Sequence, residues 1–191
     1  MTFFNAVHNQ RRSTKKFKDQ MAENGNSSPQ NGEGAESLLT EEELNAIHES
    51  WAVVWSDKKK NGIELFIKFF TLHPEAQDYF HDFKGLSIDE VRTHKKLRAH
   101  ALSVMYAFKS FIDSLDDLDT LIELVQKNAR SHAPRGVGER EIMWLLPALA
   151  QLLDDIMKGE VTELHKLAWT KLLQAVASIS KEEQENMKAS Q

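Results

Sequence analysis

Apolar residues recur every three or four positions along most of this 191-residue chain, and this spacing constrains the fold more than any other feature. Residues spaced in this way share one face of an α-helix, so each run predicts a helix that buries that face. No segment shows the alternation of a half-buried strand, and no Asn-Gly or Asp-Gly turn joins two β-branched runs. The sequence therefore predicts an all-α fold.

Local signals predict where these helices begin and end. Thr40 followed by Glu43 is a capping box, in which each side chain bonds the backbone N–H of the other residue at a helix start. Pro74 should end the second helix, because the residue before a proline is pushed out of the helical region. A corner and loop are expected from 79 to 89. Pro147 is expected to bend a long later helix.

Composition excludes several classes of protein. With a net charge of −5 the chain lacks the basic field of a nucleic-acid-binding protein, so no nucleic-acid partner is expected. No run approaches the roughly 18 apolar residues of a transmembrane helix. There is no cysteine, so disulfides, thiolate catalysis and iron–sulfur clusters are excluded, and histidines or carboxylates must hold any metal. We expect a soluble, cytoplasmic protein.

The chain is expected to divide into an N-terminal extension (1–37), a helical domain (38–181) and a polar C-terminal tail (182–191) that frays. Basic and aromatic side chains interleave in residues 1–18, where no acid occurs. That segment fits a solvated disordered tail, a weak contact that makes the protein peripheral to an anionic membrane, or a mitochondrial-type targeting segment. Residues 22–37 are rich in Gly, Asn and Ser, which indicates a flexible linker.

Motifs of common enzyme classes do not occur in the sequence. There is no H-E-x-x-H zinc motif, no P-loop and no G-x-S-x-G nucleophile elbow. No glutamate stands three residues before a histidine, as di-iron helical bundles require. Gly136-Val137-Gly138 lacks the third glycine of a dinucleotide-binding loop, and no strand precedes it. These kinds of site are therefore excluded.

Two of the eight histidines, His100 and His132, lie on the apolar stripes of successive helices. A histidine on an apolar face is most often a core residue with its hydrogen bonds satisfied, because burying an unpaired imidazole costs free energy. Two such histidines without a neighbouring carboxylate favour a pair facing one metal group, and neutral imidazole is a common ligand of haem iron. Haem also needs an aromatic-walled slot, and the second helix and the corner after it supply Phe66, Phe69, Phe70, Phe80 and Phe83.

Residues 38–181 resemble the globin family, because several segments match it in the family's order. The two histidines are 32 residues apart, within the range that globins show. The resemblance implies a globin fold of six to eight helices around a haem pocket. The matching segments are Leu39-Thr40-Glu41-Glu42 with Trp51, His73-Pro74-Glu75, Tyr79-Phe80-His81-Asp82-Phe83, His100 with Val104, Ser131-His132-Ala133, and Ala168-Trp169-Thr170-Lys171-Leu172.

The resemblance implies a role for each matching position. His132 is the proximal ligand of a haem b iron, with the Ser131 hydroxyl helping to fix its ring. His100 is the distal histidine, which either donates a hydrogen bond to bound oxygen or ligates the iron itself. Oxygen, NO or CO is then the gas ligand. The other pocket residues are Phe66, Phe80, Phe83, Val104 and Val137, together with Arg135, whose charge and location suggest a haem propionate partner.

The sequence departs from the family pattern at three places. Asn128 stands one turn before His132, where the family usually has an apolar residue, so either the proximal packing is loosened or the helix register is off by one. Ser103 occupies a place where some nerve globins carry a basic propionate partner. The N-terminal extension is longer than that of respiratory globins.

Three functions follow from these patterns. The first is a nerve-type or membrane-associated globin that binds oxygen or another diatomic gas, with His100 able to ligate the iron, in oxygen transport, storage, sensing or redox chemistry. The second is an enzyme, a haem-dependent nitric oxide dioxygenase or nitrite reductase that needs an external reductase. The third is a haem-free interaction module in which both histidines are core residues.

Overall fold

The computed structural model describes residues 37–190, and the N-terminal extension with its basic segment and linker lies outside the described residues. Within 37–190 the chain forms α-helices and two short 3₁₀ helices and no strand, which confirms the predicted all-α class. The helices are α1 (Glu41–Ser56), α2 (Lys58–Leu72), α3 (Ile88–Thr93), α4 (Lys95–Ile112), α5 (Leu118–His132), α6 (Glu139–Met143), α7 (Leu145–Met157) and α8 (Glu163–Ala189), with the 3₁₀ helices at Pro74–Tyr79 and Ala133–Arg135.

The capping box predicted at the first helix is present. Thr40 Oγ1 accepts from the backbone N–H of Glu43 at 3.3 Å, and the Glu43 carboxylate accepts from the N–H of Thr40 at 3.0 Å. Ser87 and Glu90 form the same reciprocal pair, so α3 begins inside the region where the sequence predicts a loop. The serine-to-glutamate spacing is that of a capping box, and this signal could have located α3.

The long helix expected to bend at Pro147 is instead two helices, because the ladder breaks three residues earlier, at Trp144. Pro147 lies in the first turn of α7 and has no N–H to donate to the carbonyl of Met143. A proline is tolerated in a first turn, where that N–H has no helical partner to lose.

Helix α8 continues to Ala189, eight residues beyond the boundary at 181 that the sequence suggested for the start of a fraying tail. Its apolar stripe ends at Ile179, but the residues that follow are mostly good helix formers and include neither glycine nor proline. Helices α1, α5 and α6 all pack against α8, which is the longest helix among the described residues.

Two close contacts organise the core. At the crossing of α2 and α4, a Cβ on Gly62 would lie 2.9 Å from Met105 Cγ and 3.3 Å from the carbonyl oxygen of Ala101, so only glycine allows this approach. Between α1 and α8, Trp169 donates from its indole N–H to Ser50 Oγ at 2.9 Å and packs beside the ring of Trp51. None of the helices in this part of the chain is long and apolar enough to cross a membrane.

Candidate functional site

His132 is the last residue of α5, and hydrogen bonds to its own helix fix its ring. The Nδ1 atom lies 2.9 Å from the backbone carbonyl oxygen of Asn128 and 3.2 Å from Ser131 Oγ. A carbonyl oxygen only accepts hydrogen bonds, so Nδ1 carries the ring proton. The lone pair of the neutral imidazole is therefore on Nε2, the nitrogen that can bind a metal.

The backbone of Asn128, the residue that departs from the family pattern, makes the contact to the His132 ring. The contact to the ring uses the backbone carbonyl, which every residue has, and not the Asn128 side chain. The interval of four residues is the spacing of one helical turn, so Asn128 and His132 lie on the same face of α5. Ser131 donates from its hydroxyl to the same carbonyl oxygen at 2.7 Å.

His100 lies in the middle of α4 and is held by aromatic rings. The centroids of Phe66 and Phe80 are 5.0 Å and 5.1 Å from that of its imidazole, and both phenyl rings meet it edge to face. Within residues 37–190 no hydrogen bond reaches either of its ring nitrogens. The ring is therefore oriented by packing alone, with both nitrogens free of protein partners in this part of the chain.

The surroundings of His100 keep its imidazole uncharged. Burial, followed by the electrostatic influence of His132 and of Arg135, lowers the pKa of His100 to about 4. At neutral pH His100 is consequently an uncharged imidazole, the form that binds iron.

The other predicted pocket residues fall around these two histidines to different degrees. Phe80 stacks on Phe83 at 5.3 Å between ring centroids, and Phe83 is fully buried. Val104 is partly buried one turn after His100 and packs against the core. Arg135 is exposed and donates to the carbonyl oxygen of Ser131 at 2.5 Å, so its guanidinium lies beside the end of α5.

A polar cluster that sequence reasoning missed connects the corner before Phe80 to the start of α6. The carboxylate of Glu141 accepts from the Tyr79 hydroxyl at 2.9 Å, from the Gly138 N–H at 2.9 Å and from Arg140 at 2.7 Å. Burial raises the pKa of Glu141, but these hydrogen bonds outweigh it and hold the pKa below its ordinary value. Next to this cluster the ring of Trp144 stacks on the imidazole of His73, with 4.8 Å between the ring centroids.

The end of α8 contacts the segment that follows His132, and sequence reasoning missed this as well. Gln184 donates from its side-chain amide to the carbonyl oxygen of Val137 at 2.8 Å. Arg130, which lies on α5 two residues before His132, pairs with Glu183 of α8 at 2.6 Å. These partners are far apart in the sequence, so no periodic pattern indicates them. Val137, predicted as a residue at the haem edge, is thus held from the side of α8.

A separate apolar cavity of about 270 Å³ lies between α7 and α8, and it includes none of the predicted site residues. Its lining is Leu146, Pro147, Leu149, Ala150, Leu153, Val161, Lys166, Trp169 and Thr170. The candidate site is therefore considered at the two histidines and not at this cavity.

The described part of the chain is thus all-helical, with one histidine whose ring is fixed by its own helix and another packed between two phenylalanine rings. The globin family model matches residues 63–180. A globin of Nerita albicilla is 34% identical over 149 residues, which cover 78% of this chain and 95% of that protein. The chain belongs to the globin family.

Solved structures agree with this fold. The hemoglobin of the botfly Gasterophilus intestinalis superposes with a TM-score of 0.70 at 19% identity, covering 77% of this chain and 99% of that one. A hexacoordinated heme protein from an anhydrobiotic tardigrade gives a TM-score of 0.69 at 20% identity, with coverage of 77% and 96%. At these identities the likeness shows the globin fold.

Proposed function

We propose that this globin binds haem b between α4 and α5, with His132 as the proximal ligand, and there reversibly binds a diatomic gas such as oxygen. The observation that carries the proposal is the hydrogen bond from His132 Nδ1 to the Asn128 carbonyl oxygen, because it fixes the tautomer whose Nε2 can coordinate iron. Membership of the globin family supports the same assignment.

The residues present fit this group. Haem, when bound, would supply an iron that imidazole can ligate, and the chain provides one imidazole with a fixed tautomer and a second that is neutral at pH 7. The apolar walls from Phe66, Phe80 and Val104 would exclude water from the gas side of the cleft. Arg135 and Val137, on the segment after His132, would contact the edge of the group, with Arg135 available to a propionate.

We further propose that His100 ligates the iron when no gas is present. Its nitrogens are free of hydrogen bonds within the described residues, its imidazole is uncharged at neutral pH, and rings rather than hydrogen bonds set its orientation. An external gas must then displace His100, so its apparent affinity falls by the fraction of molecules with the site open. When displaced, the same ring can donate an N–H to the gas. The likeness to a hexacoordinated heme protein supports this form of the site.

The visible spectrum of the reduced, gas-free protein tests both parts of the proposal. Addition of haem b to the purified chain should give the intense absorption band of bound haem. Two sharp, split bands at longer wavelength are expected if both histidines ligate the iron. The His100→Leu variant should retain haem and show a single broad band instead. A single broad band already in the unchanged protein would contradict ligation by His100 and leave His132 as the one axial ligand.

A chain that fails to retain haem altogether would contradict the proposed function as a whole. It would favour the haem-free interaction module, in which both histidines are core residues. Retention of haem by the His132→Ala variant with an unchanged spectrum would contradict the proximal assignment in particular.

A further inference from the structure

We infer that the end of α8, from Lys181 to Gln184, is a clamp that positions the proximal segment, which is defined as residues 130–139 around His132. The clamp thereby sets how firmly His132 holds the haem, an inference that rests on the proposed function. The clamp contacts that segment at three points, before His132, after it, and at the start of α6. Its residues are positioning residues, since they act through His132.

The central contact of the clamp is made by Gln184. Its amide nitrogen donates to the carbonyl oxygen of Val137 at 2.8 Å, in a partly buried position. Its amide oxygen lies 3.4 Å from the point that a Cβ on Gly138 would occupy, so the side chain fits closely against this stretch. Replacing Gln184 by a residue without an amide would leave the Val137 carbonyl without this donor. Leaving a partly buried carbonyl without a hydrogen bond lowers the stability of the fold.

Two ion pairs flank this hydrogen bond. Arg130, one half-turn before His132, pairs with Glu183 at 2.6 Å, and Lys181 pairs with Glu139 of α6 at 2.8 Å. The side chain of Glu183 is only 12% exposed, whereas those of Lys181 and Glu139 are 53% and 45% exposed. Solvent screens the second pair, so the hydrogen bond and the Arg130 pair are expected to carry most of the effect.

The segment needs such external support because its own structure is short. Helix α5 ends at His132, and only a 3₁₀ helix of three residues follows, Ala133–Arg135. Gly136 has a φ of +72°, in the left-handed region, and Gly138 is a second glycine two positions on. Glycines leave the backbone more conformational freedom than other residues do. Val137 lies between these two glycines, and its hydrogen bond with Gln184 of α8 restricts the backbone there.

Substitution of Gln184 by Met tests the clamp, because methionine keeps the length of the side chain and removes the amide donor. Gln174→Met is the matched control, since Gln174 is exposed on the same helix. The first measurement is the rate at which ferric protein loses haem to an excess of a haem-free acceptor protein. We expect about tenfold faster loss from Gln184→Met than from the control, the lower end of what removing support from a metal-binding histidine costs. Gln184→Glu should lose haem faster still, because its carboxylate faces a carbonyl oxygen.

A second measurement separates positioning from general stability. In the His100→Leu background the ferrous iron has His132 as its one protein ligand, and resonance Raman spectroscopy reports the iron–histidine stretch. We expect Gln184→Met to broaden this band relative to Gln174→Met, because the ring of His132 samples more orientations. A change in thermal stability with an unchanged band would overturn the inference and leave Gln184 with a purely structural role.

The remaining outcomes are also decisive. If the unchanged chain retains haem and Gln184→Met matches Gln174→Met in both haem loss and band width, the clamp is wrong while the proposed function stands. If the unchanged chain retains no haem, the proposed function fails and the clamp fails with it. Deletion of residues 181–191 removes all three contacts, so the shortened chain should lose haem faster than Gln184→Met does.

Discussion

The two histidines of the site are held in different ways. His132 is fixed by hydrogen bonds to its own helix, at Asn128 and Ser131, which lie within one turn of it. His100 is held by the rings of Phe66 and Phe80, which come from other elements of the fold. Hydrogen bonds fix both the tautomer and the direction of a ring, whereas packing against other rings only limits the volume that the ring can occupy. Under the proposed function, this difference suits His132 to permanent ligation and His100 to ligation that a gas can displace.

The largest test of this difference is the removal of each ring in turn. His132→Ala should weaken haem retention by more than the roughly 10–100-fold that loss of a mere supporting group costs. His100→Leu should change retention far less, because the remaining histidine supplies the fixed ligand. Rates of haem loss from the two variants provide the measurement. Equal rates would show that the two sides are equivalent and would remove the asymmetry.

The packing on the distal side can be tested through Phe80, whose ring contacts both His100 and Phe66. Phe80→Ala should lower the free energy of unfolding by about 2 kcal/mol, less than for a fully buried phenylalanine because Phe80 is only partly buried. It should also lower the fraction of ferrous molecules in which His100 ligates the iron. Chemical denaturation and the visible spectrum measure the two effects, and Phe69→Ala, which removes a ring that has no contact with His100 among those described, is the control.

The lowered pKa of His100 gives a pH dependence for the haem-free protein. Its value of about 4 lies below the 6.5 of an ordinary histidine, so the unfolded chain binds more protons between these values. Stability should therefore fall as the pH falls from about 6.5 towards 4. Between pH 7 and pH 5 we expect a loss of about 2 kcal/mol that is absent in His100→Leu. Urea denaturation at both pH values measures it, and equal pH dependence in the two proteins would show that His100 is not its source.

The smallest expected effect is that of Asn128→Leu, which restores the apolar residue that the family usually has one turn before the proximal histidine. Because the ring uses the backbone carbonyl, this change should alter stability by less than about 0.5 kcal/mol and leave the iron–histidine stretch in place. Ser131→Ala, which removes a hydroxyl near Nδ1, is the companion variant and should have the larger effect of the two. The reverse order would show that the Asn128 side chain matters.

Features encoded over a few residues were predictable from the sequence. The helical class, the capping box at Thr40 and the family followed from local spacing and from ordered motifs, and these predictions are confirmed. His100 and His132 were singled out by their apolar stripes, and the resemblance gave them and the other site residues their roles, which stay predictions. The contact of His132 with the carbonyl one turn before it is local in the same way. A helix presents residues four apart on one face, so a sequence alone can pair them.

Contacts between distant residues were not predictable. Gln184 and Val137 are 47 positions apart, and Tyr79 and Glu141 are 62 apart. Such pairs depend on how whole helices cross, and neither periodicity nor composition specifies the crossing. The extension of α8 was missed for a related reason, since its apolar stripe ends while its helix-forming residues continue.

The distribution of tryptophan has an optical consequence. Three of the four tryptophans are neighbours, with Trp51 lying 5.8 Å from Trp55 and 6.2 Å from Trp169 between ring centroids. Trp144 is separate, stacked on His73 at the junction of α6 and α7. The intrinsic fluorescence of the chain therefore comes from two sources, one in the core and one beside the segment that the end of α8 supports. A Trp144→Phe variant would isolate the core signal, and its difference from the unchanged protein would follow the junction without any added label.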